Sequence, residues 1–118
     1  MTETRTETDS LGPVEVPASA LYGAQTTRAV ANFPISGLRA SPFLISALAM
    51  TKQAAAEANQ SLGLITPEQG SAIQQVAQEI IDGRHHDHFV VDVFQAGAGV
   101  SLHMNANEVI ASRAGQIL

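Results

Sequence analysis

Apolar residues recur at helical spacing over two stretches of the chain, and each stretch opens and closes on its own signal. Leu44, Ile45, Leu48, Ala55 and Leu62 give a helix from Phe43 to Leu62 an apolar side, and Ala49, Ala54, Ala56 and Ala58 let a neighbour approach closely. Ser41 supplies a hydroxyl cap, Pro42 takes the first helical position and Gly63 is the expected stop. The second stretch opens on Thr66-Pro67-Glu68-Gln69, where a capping Thr, an initial Pro and a Gln three positions after the cap form a capping box. Ile73, Val76, Ile80 and Ile81 supply its buried face, and Gly83 ends it. With so few residues between them, the two helices predict an antiparallel hairpin.

The remaining pattern is shorter. Gly12-Pro13-Val14-Glu15-Val16-Pro17 alternates apolar and polar residues between prolines, which suits a short extended edge segment. A short helix is predicted from Ala24 to Asn32, because the residue before Pro34 disfavours helical backbone. Ile35 to Arg39 has loop chemistry, and Phe89 to Phe94 is β-branched and aromatic enough to be extended. The turn Gln95-Ala96-Gly97-Ala98-Gly99 then leads into a last helix from near Val100, with no stop signal before Leu118. Residues Met1 to Ser10 carry four Thr and three acidic side chains with almost nothing to bury, and are expected to form a mobile tail. The reading is a mainly α chain, a helical hairpin with short extended segments, whose single domain runs over 11–118 and ends inside a helix.

Composition narrows the function classes. With one Tyr, four Phe and no Trp, the core must come from Ala, Leu, Ile and Val. The net charge of -5 and the scatter of Arg5, Arg28, Arg39, Lys52, Arg84 and Arg113 leave no basic face for nucleic acid. The chain has no Cys, which removes thiolate nucleophiles and Cys-based zinc sites, and no run approaches the ~20 apolar residues of a membrane span. A cytoplasmic protein that binds neither membrane nor nucleic acid is expected.

Candidate chemistry concentrates between Phe94 and Val109. Gly97 and Gly99 before a helix start let the backbone turn tightly and present amides, which favours a bound carboxylate or phosphate. On spacing alone the signal is weak and a helix start that holds no ligand is the favoured reading, and only Gly97 and Gly99 fit a dinucleotide-binding pattern. Asn105, Asn107 and Glu108 are polar residues within a helical segment, and their expected role is to bond the preceding loop and hold its glycines. His85, His86 and His88 sit too close in sequence, with only Asp87 to help, to converge on one metal ion, so a solvated loop is expected. His103 has no Ser or Asp partner at known reach and is assigned no role.

Gly97-Ala98-Gly99-Val100-Ser101 followed by Met104-Asn105-Ala106-Asn107-Glu108-Val109-Ile110-Ala111 is very similar to the first signature region of the aspartase/fumarase superfamily. The resemblance spans the chain: Asp9-Ser10-Leu11-Gly12, Tyr22-Gly23-Ala24-Gln25-Thr26 with Arg28, and Asn32-Phe33-Pro34-Ile35-Ser36-Gly37 follow the family's amino-terminal domain in order. It implies that fold, truncated before the central helical bundle, in a homotetramer that needs no cofactor or metal. Within the superfamily, Gln95 with Gly97-Ala98-Gly99 and the preceding Val91-Asp92 resemble the aspartate ammonia-lyases more than the class II fumarases, which tend to have Trp-Gln-Thr-Gly-Ser-Gly there, and this implies reversible elimination of ammonia from L-aspartate to give fumarate. By the same resemblance Gly97, Ala98, Gly99, Val100 and Ser101 would bind substrate, Asn105, Asn107 and Glu108 would be scaffold, and no catalytic residue lies in this chain. Family members usually carry Thr where this chain has Val100, and the lost hydroxyl bond to a charged group costs about 1.5–3 kcal/mol. The family's base-bearing loop is absent, so the isolated chain is expected to be inactive. A class II fumarase fragment acting on malate and a non-catalytic helical association domain are the competing expectations.

Overall fold

A computed structural model gives the chain's structure over residues 3–118. Two strands, β1 (Thr4–Asp9) and β2 (Gly12–Pro17), precede four helices: α1 (Ala24–Asn32), α2 (Pro42–Ser61), α3 (Pro67–Ile81) and α4 (Val100–Ile117). The caps read from sequence are in place. Ser41 accepts the Phe43 amide at the start of α2, and Thr66 and Gln69 exchange side-chain and backbone bonds of 3.1 and 3.0 Å at the start of α3.

Helices α2 and α3 form the predicted hairpin, cross-linked by Gln53 to Gln74 and Gln78 and by Gln74 to Gln60. The buried face of α2 is narrower than its large side chains suggested. Ile45, Ala49 and Ala56 are buried, whereas Leu44 and Leu62 are exposed. Ala49, Ala72 and Ala77 all lie in the core, where small residues allow the helix backbones to approach, so close packing rather than side-chain size sets the face. Helix α4 lies against both partners through Leu102, Ala106, Val109, Ile110 and Ala114. Fully buried Val76, Ile80 and Val109 each contribute about 1.5–3 kcal/mol of hydrophobic stabilisation.

The expected mobile tail over residues 1–10 is corrected for the part described. Thr4–Asp9 is a strand, antiparallel to Gly12–Pro17 with register running from Thr4 opposite Pro17 to Asp9 opposite Gly12. Met1 and Thr2 lie outside the described residues. The ordering does not come from a core. Arg5 donates to the carbonyls of Pro17, Ala18, Ala20 and Tyr22, and Asp9 accepts both Arg28 nitrogens at 3.1 and 3.0 Å. These charge-assisted bonds and the strand ladder offset the ordering entropy that sequence reasoning charged against the tail. Gly12, at φ 109°, makes the tight turn between the strands.

Phe89 to Phe94 is extended but does not form a strand of its own. Asp92 makes a single antiparallel bridge with Arg39, and the Val93 amide donates to the Leu38 carbonyl. Phe89 and Val91 are buried, fixing the segment that delivers the chain to the glycine loop. Among the described residues, no helix is long and apolar enough to cross a membrane.

Candidate functional site

The glycine loop is a tight 3-10 turn, Gly97–Gly99, set directly on the first turn of α4. Ala98 (φ 64°) and Gly99 (φ 70°) are both in the left-handed region, and Gly99 is the N-cap of α4. Glycine adopts this conformation freely, whereas Ala98 adopts it against its own Cβ. Gly99 has no side chain to cap the helix. Val100 is half-exposed, whereas Ser101 is buried and lines a cleft of about 400 Å³ with Ala96, Gln25, Arg28, Asn32 and Phe33. The substrate-binding candidates thus form one continuous turn, with Val100 and Ser101 in different surroundings.

Of the residues expected to act as scaffold, Asn105 and Glu108 bond neighbouring segments, whereas Asn107 bonds within its own helix. Asn105, with no exposed surface, accepts the Val90 amide at 3.0 Å and donates to the His88 carbonyl at 2.9 Å. Glu108 docks on the start of α1: Oε1 accepts from Gly23 N, Thr26 N and Thr26 Oγ1, and Oε2 accepts from Gln25 N. A Cβ at Gly23 would stand 2.8 Å from Glu108 Oε2, so a larger residue there would push the carboxylate out of its present place. Asn107 is partly exposed, 3.3 Å from His103 Nε2, and its amide also reaches Met104. None of the three bonds the glycines. The loop precedes the helix, and residues one and two turns along α4 reach sideways to neighbouring segments instead.

Gln95 and Asp92 hold the loop. Gln95 donates to the Asp92 carbonyl at 2.9 Å and accepts the Leu102 amide at 2.6 Å. The Asp92 carboxylate accepts from Ser36 N, Ser36 Oγ, Gly37 N and Phe94 N at 2.7–2.9 Å. The Phe94 amide, with the Ser36 hydroxyl and the Ser36 and Gly37 amides, holds its carboxyl at about 2 despite burial. A signal for both was available in the sequence. Asp92 interrupts an apolar run where a bare acid would be costly, and Gln95 precedes a glycine N-cap that cannot cap itself.

The histidine segment is bonded rather than solvated, which corrects the expected loop. His85 Nε2 contacts Glu79 Oε1 at 2.7 Å, His86 Nε2 contacts the Ile80 carbonyl, and His88 Nδ1 accepts the Leu21 amide. Glu79 also takes Arg113, which with His85 and Gln75 holds its carboxyl at about 2 against the opposing effect of burial. Among the described residues no group of three or more His, Cys, Asp or Glu is placed to share an ion. His103 lies 3.2 Å from Lys52 Nζ at the surface, away from the Ser101 cleft.

With this geometry in hand, likeness to known proteins is specific. The lyase family model matches residues 12–118. The chain is 55% identical over 114 residues to a class II fumarate hydratase of Halobacterium salinarum, covering 97% of this chain and 24% of that protein. It is 50% identical over 117 residues to an aspartate ammonia-lyase of a Bacillus species, covering 99% and 25%. Among solved structures, a fumarate lyase:delta crystallin from Brucella melitensis in native form superposes with TM-score 0.94 at 50% identity over 98% of this chain and 27% of that one. A class II fumarase from Schistosoma mansoni gives 0.94 at 36% identity, over 98% and 24%. The chain therefore spans about a quarter of the length of these relatives. Sequence and fold agree that it belongs to the lyase family, within the aspartase/fumarase superfamily.

Proposed function

We propose that this chain supplies the first region of a composite site that reversibly eliminates ammonia from L-aspartate to give fumarate. Gly97, Ala98, Gly99, Val100 and Ser101 would receive one substrate carboxylate. In the reaction a base takes a proton from the carbon beside the side-chain carboxylate, charge builds on that carboxylate as an enediolate, and ammonia leaves the adjacent carbon. Stabilising the enediolate is the main demand, and helix-start amides answer it.

One observation carries the reading. Among the described helices, α2 and α3 start on hydroxyl caps, and α1 and α4 both start on glycine, but α1 has the Glu108 carboxylate on its first amides whereas α4 has no acidic side chain in its first turn. Among the described residues its positive end is met by the neutral amide of Gln95, beside a cleft lined by Ser101 and by Arg28, whose charge is paired with Asp9. A substrate carboxylate placed at this helix start would be favoured by the helix dipole. Asn105 and Glu108 act as scaffold beneath it.

The proton-abstracting base would come from elsewhere in a cytoplasmic homotetramer of the complete lyase, so the isolated chain is proposed to be inactive. The second reading is malate as substrate, with water leaving instead of ammonia; the 55% identity to a class II fumarate hydratase supports it. The test is to let the chain replace the matching quarter of the Bacillus aspartate ammonia-lyase and, separately, of the Halobacterium fumarate hydratase, and to follow fumarate absorbance. Aspartate turnover in the first chimaera is the expected result. Turnover of malate alone, in the second, would favour the fumarase reading. Two folded but inactive chimaeras would sink both and favour a non-catalytic association domain.

A further inference from the structure

The N-cap of α4, Gly99, is the one position of that helix start that would normally carry a capping side chain, and it has none. The Leu102 amide, third in the helix, is bonded instead by Gln95 Oε1 from the opposite side of the loop. The nitrogen of the same side chain donates to the Asp92 carbonyl. Gln95 therefore bridges the segment entering the loop and the helix leaving it, using both ends of its amide. Its anchor is firm, because the Asp92 carboxylate is bonded to Ser36, Gly37 and Phe94. Between the two bonded ends lies Ala98 at φ 64°, a conformation that a residue with a Cβ leaves unless its surroundings hold it.

Acidic side chains are the favoured neighbours of helix starts, and Glu108 plays that part for α1. At α4 an acid in the place of Gln95 would compete with a substrate carboxylate for the same positive end. A neutral amide caps without competing. We infer that Gln95 is a positioning residue for the proposed substrate: it holds the strained Ala98-Gly99 turn and occupies the Leu102 amide, leaving the carboxylate to the loop. The inference rests on the lyase reading for its substrate but not for its geometry.

Two variants and two readouts test it. In the chain itself, Gln95→Ala should speed hydrogen exchange of the Leu102 amide about tenfold, the effect of losing one hydrogen bond, and shift the NMR signals of Ala98 and Gly99. In the aspartate ammonia-lyase chimaera the same change should raise KM for aspartate about tenfold, with kcat much less affected. Gln95→Glu separates positioning from general damage. Its ionised form accepts from Leu102 but cannot donate to the Asp92 carbonyl and repels the substrate; its protonated form restores both bonds. The ratio of its KM to that of the parent chimaera should fall as pH is lowered through the new carboxyl's pKa, which a packing defect would not do. Unchanged Leu102 exchange in Gln95→Ala overturns the inference, as does altered exchange with unchanged KM or a flat pH ratio for Gln95→Glu. An inactive parent chimaera would count against the lyase reading, while the exchange measurement would still decide whether Gln95 holds the loop.

Discussion

Removing Glu108 should destabilise the chain as much as a core truncation, although its carboxylate lies outside the apolar core. Four donors at the start of α1 converge on it, at distances of 2.5–3.2 Å. Two of them belong to Thr26, which has no exposed surface, so in Glu108→Ala its amide and hydroxyl lose their partner at the floor of a cleft lined by Gly23, Gln25 and Glu108. A buried donor left without a partner costs about 1–3 kcal/mol, giving roughly 2–6 kcal/mol for the pair. The Gly23 and Gln25 amides can turn to solvent and add less. Water entering the cleft meets part of that need, so the working value is the low end, about 2 kcal/mol, still a sizeable part of the about 5–15 kcal/mol typical of a domain. Glu108→Gln should lose about 1–2 kcal/mol, because it keeps Oε1 but turns an amide nitrogen toward the Gln25 amide. Urea unfolding followed by circular dichroism measures both, with the exposed Glu57→Ala as control. A loss under about 1 kcal/mol for Glu108→Ala would refute the reasoning. So would additivity between Glu108→Ala and Thr26→Val, since two groups in direct contact must show coupling.

Three further outcomes are expected. Asn105→Ala should cost about 2–4 kcal/mol in the same urea assay, because it strands the Val90 amide and the His88 carbonyl against the core. Acid should unfold the chain in a defined window: Asp92 and Glu79, both held at about 2, lie below their ordinary 3.8 and 4.5. Their stabilisation is complete above pH 4.5 and is lost progressively as pH falls toward 2, so an acid titration showing no loss of urea resistance across that range would contradict it. Val100→Thr in the aspartate ammonia-lyase chimaera should lower KM about tenfold by restoring a hydroxyl donor, and an unchanged KM would mean that position does not contact the substrate.

The helices were legible because their signals are local. Ser41-Pro42, Thr66-Pro67 and the glycines at 63 and 83 each act within one turn, and the observed bounds of α2 and α3 fall within a residue or two of those read from them. The strand over Thr4–Asp9 was not legible, because what orders it is long-range: Arg5 reaching carbonyls twelve to seventeen residues on, and Asp9 meeting Arg28. The loop's position was readable from its glycines, but its supports were not. Asn105 and Glu108 announced themselves as polar residues in a helix, yet the direction of a side chain from α4 depends on which segments pack beside it. Sequence spacing carried no such information.

Those supports make α4 more than a pedestal for the loop. Its first turn receives Gln95, its second holds the 88–90 segment through Asn105, and Glu108 near its middle grips the start of α1. Ser101 and Glu108 are seven residues apart, about 10 Å along the axis. Helix α1 in turn carries Arg28 and Asn32, which face Ser101 across the cleft. Asp9, Ser10 and Leu11 of the turn between β1 and β2 line the same cleft, so α1 is held from two sides, by Glu108 of α4 at its start and by Asp9 at Arg28. Losing Glu108 would let α1 shift against the loop without touching it. Under the proposed function that shift would displace a substrate carboxylate from the loop, which would give Glu108 a positioning role besides its part in the fold.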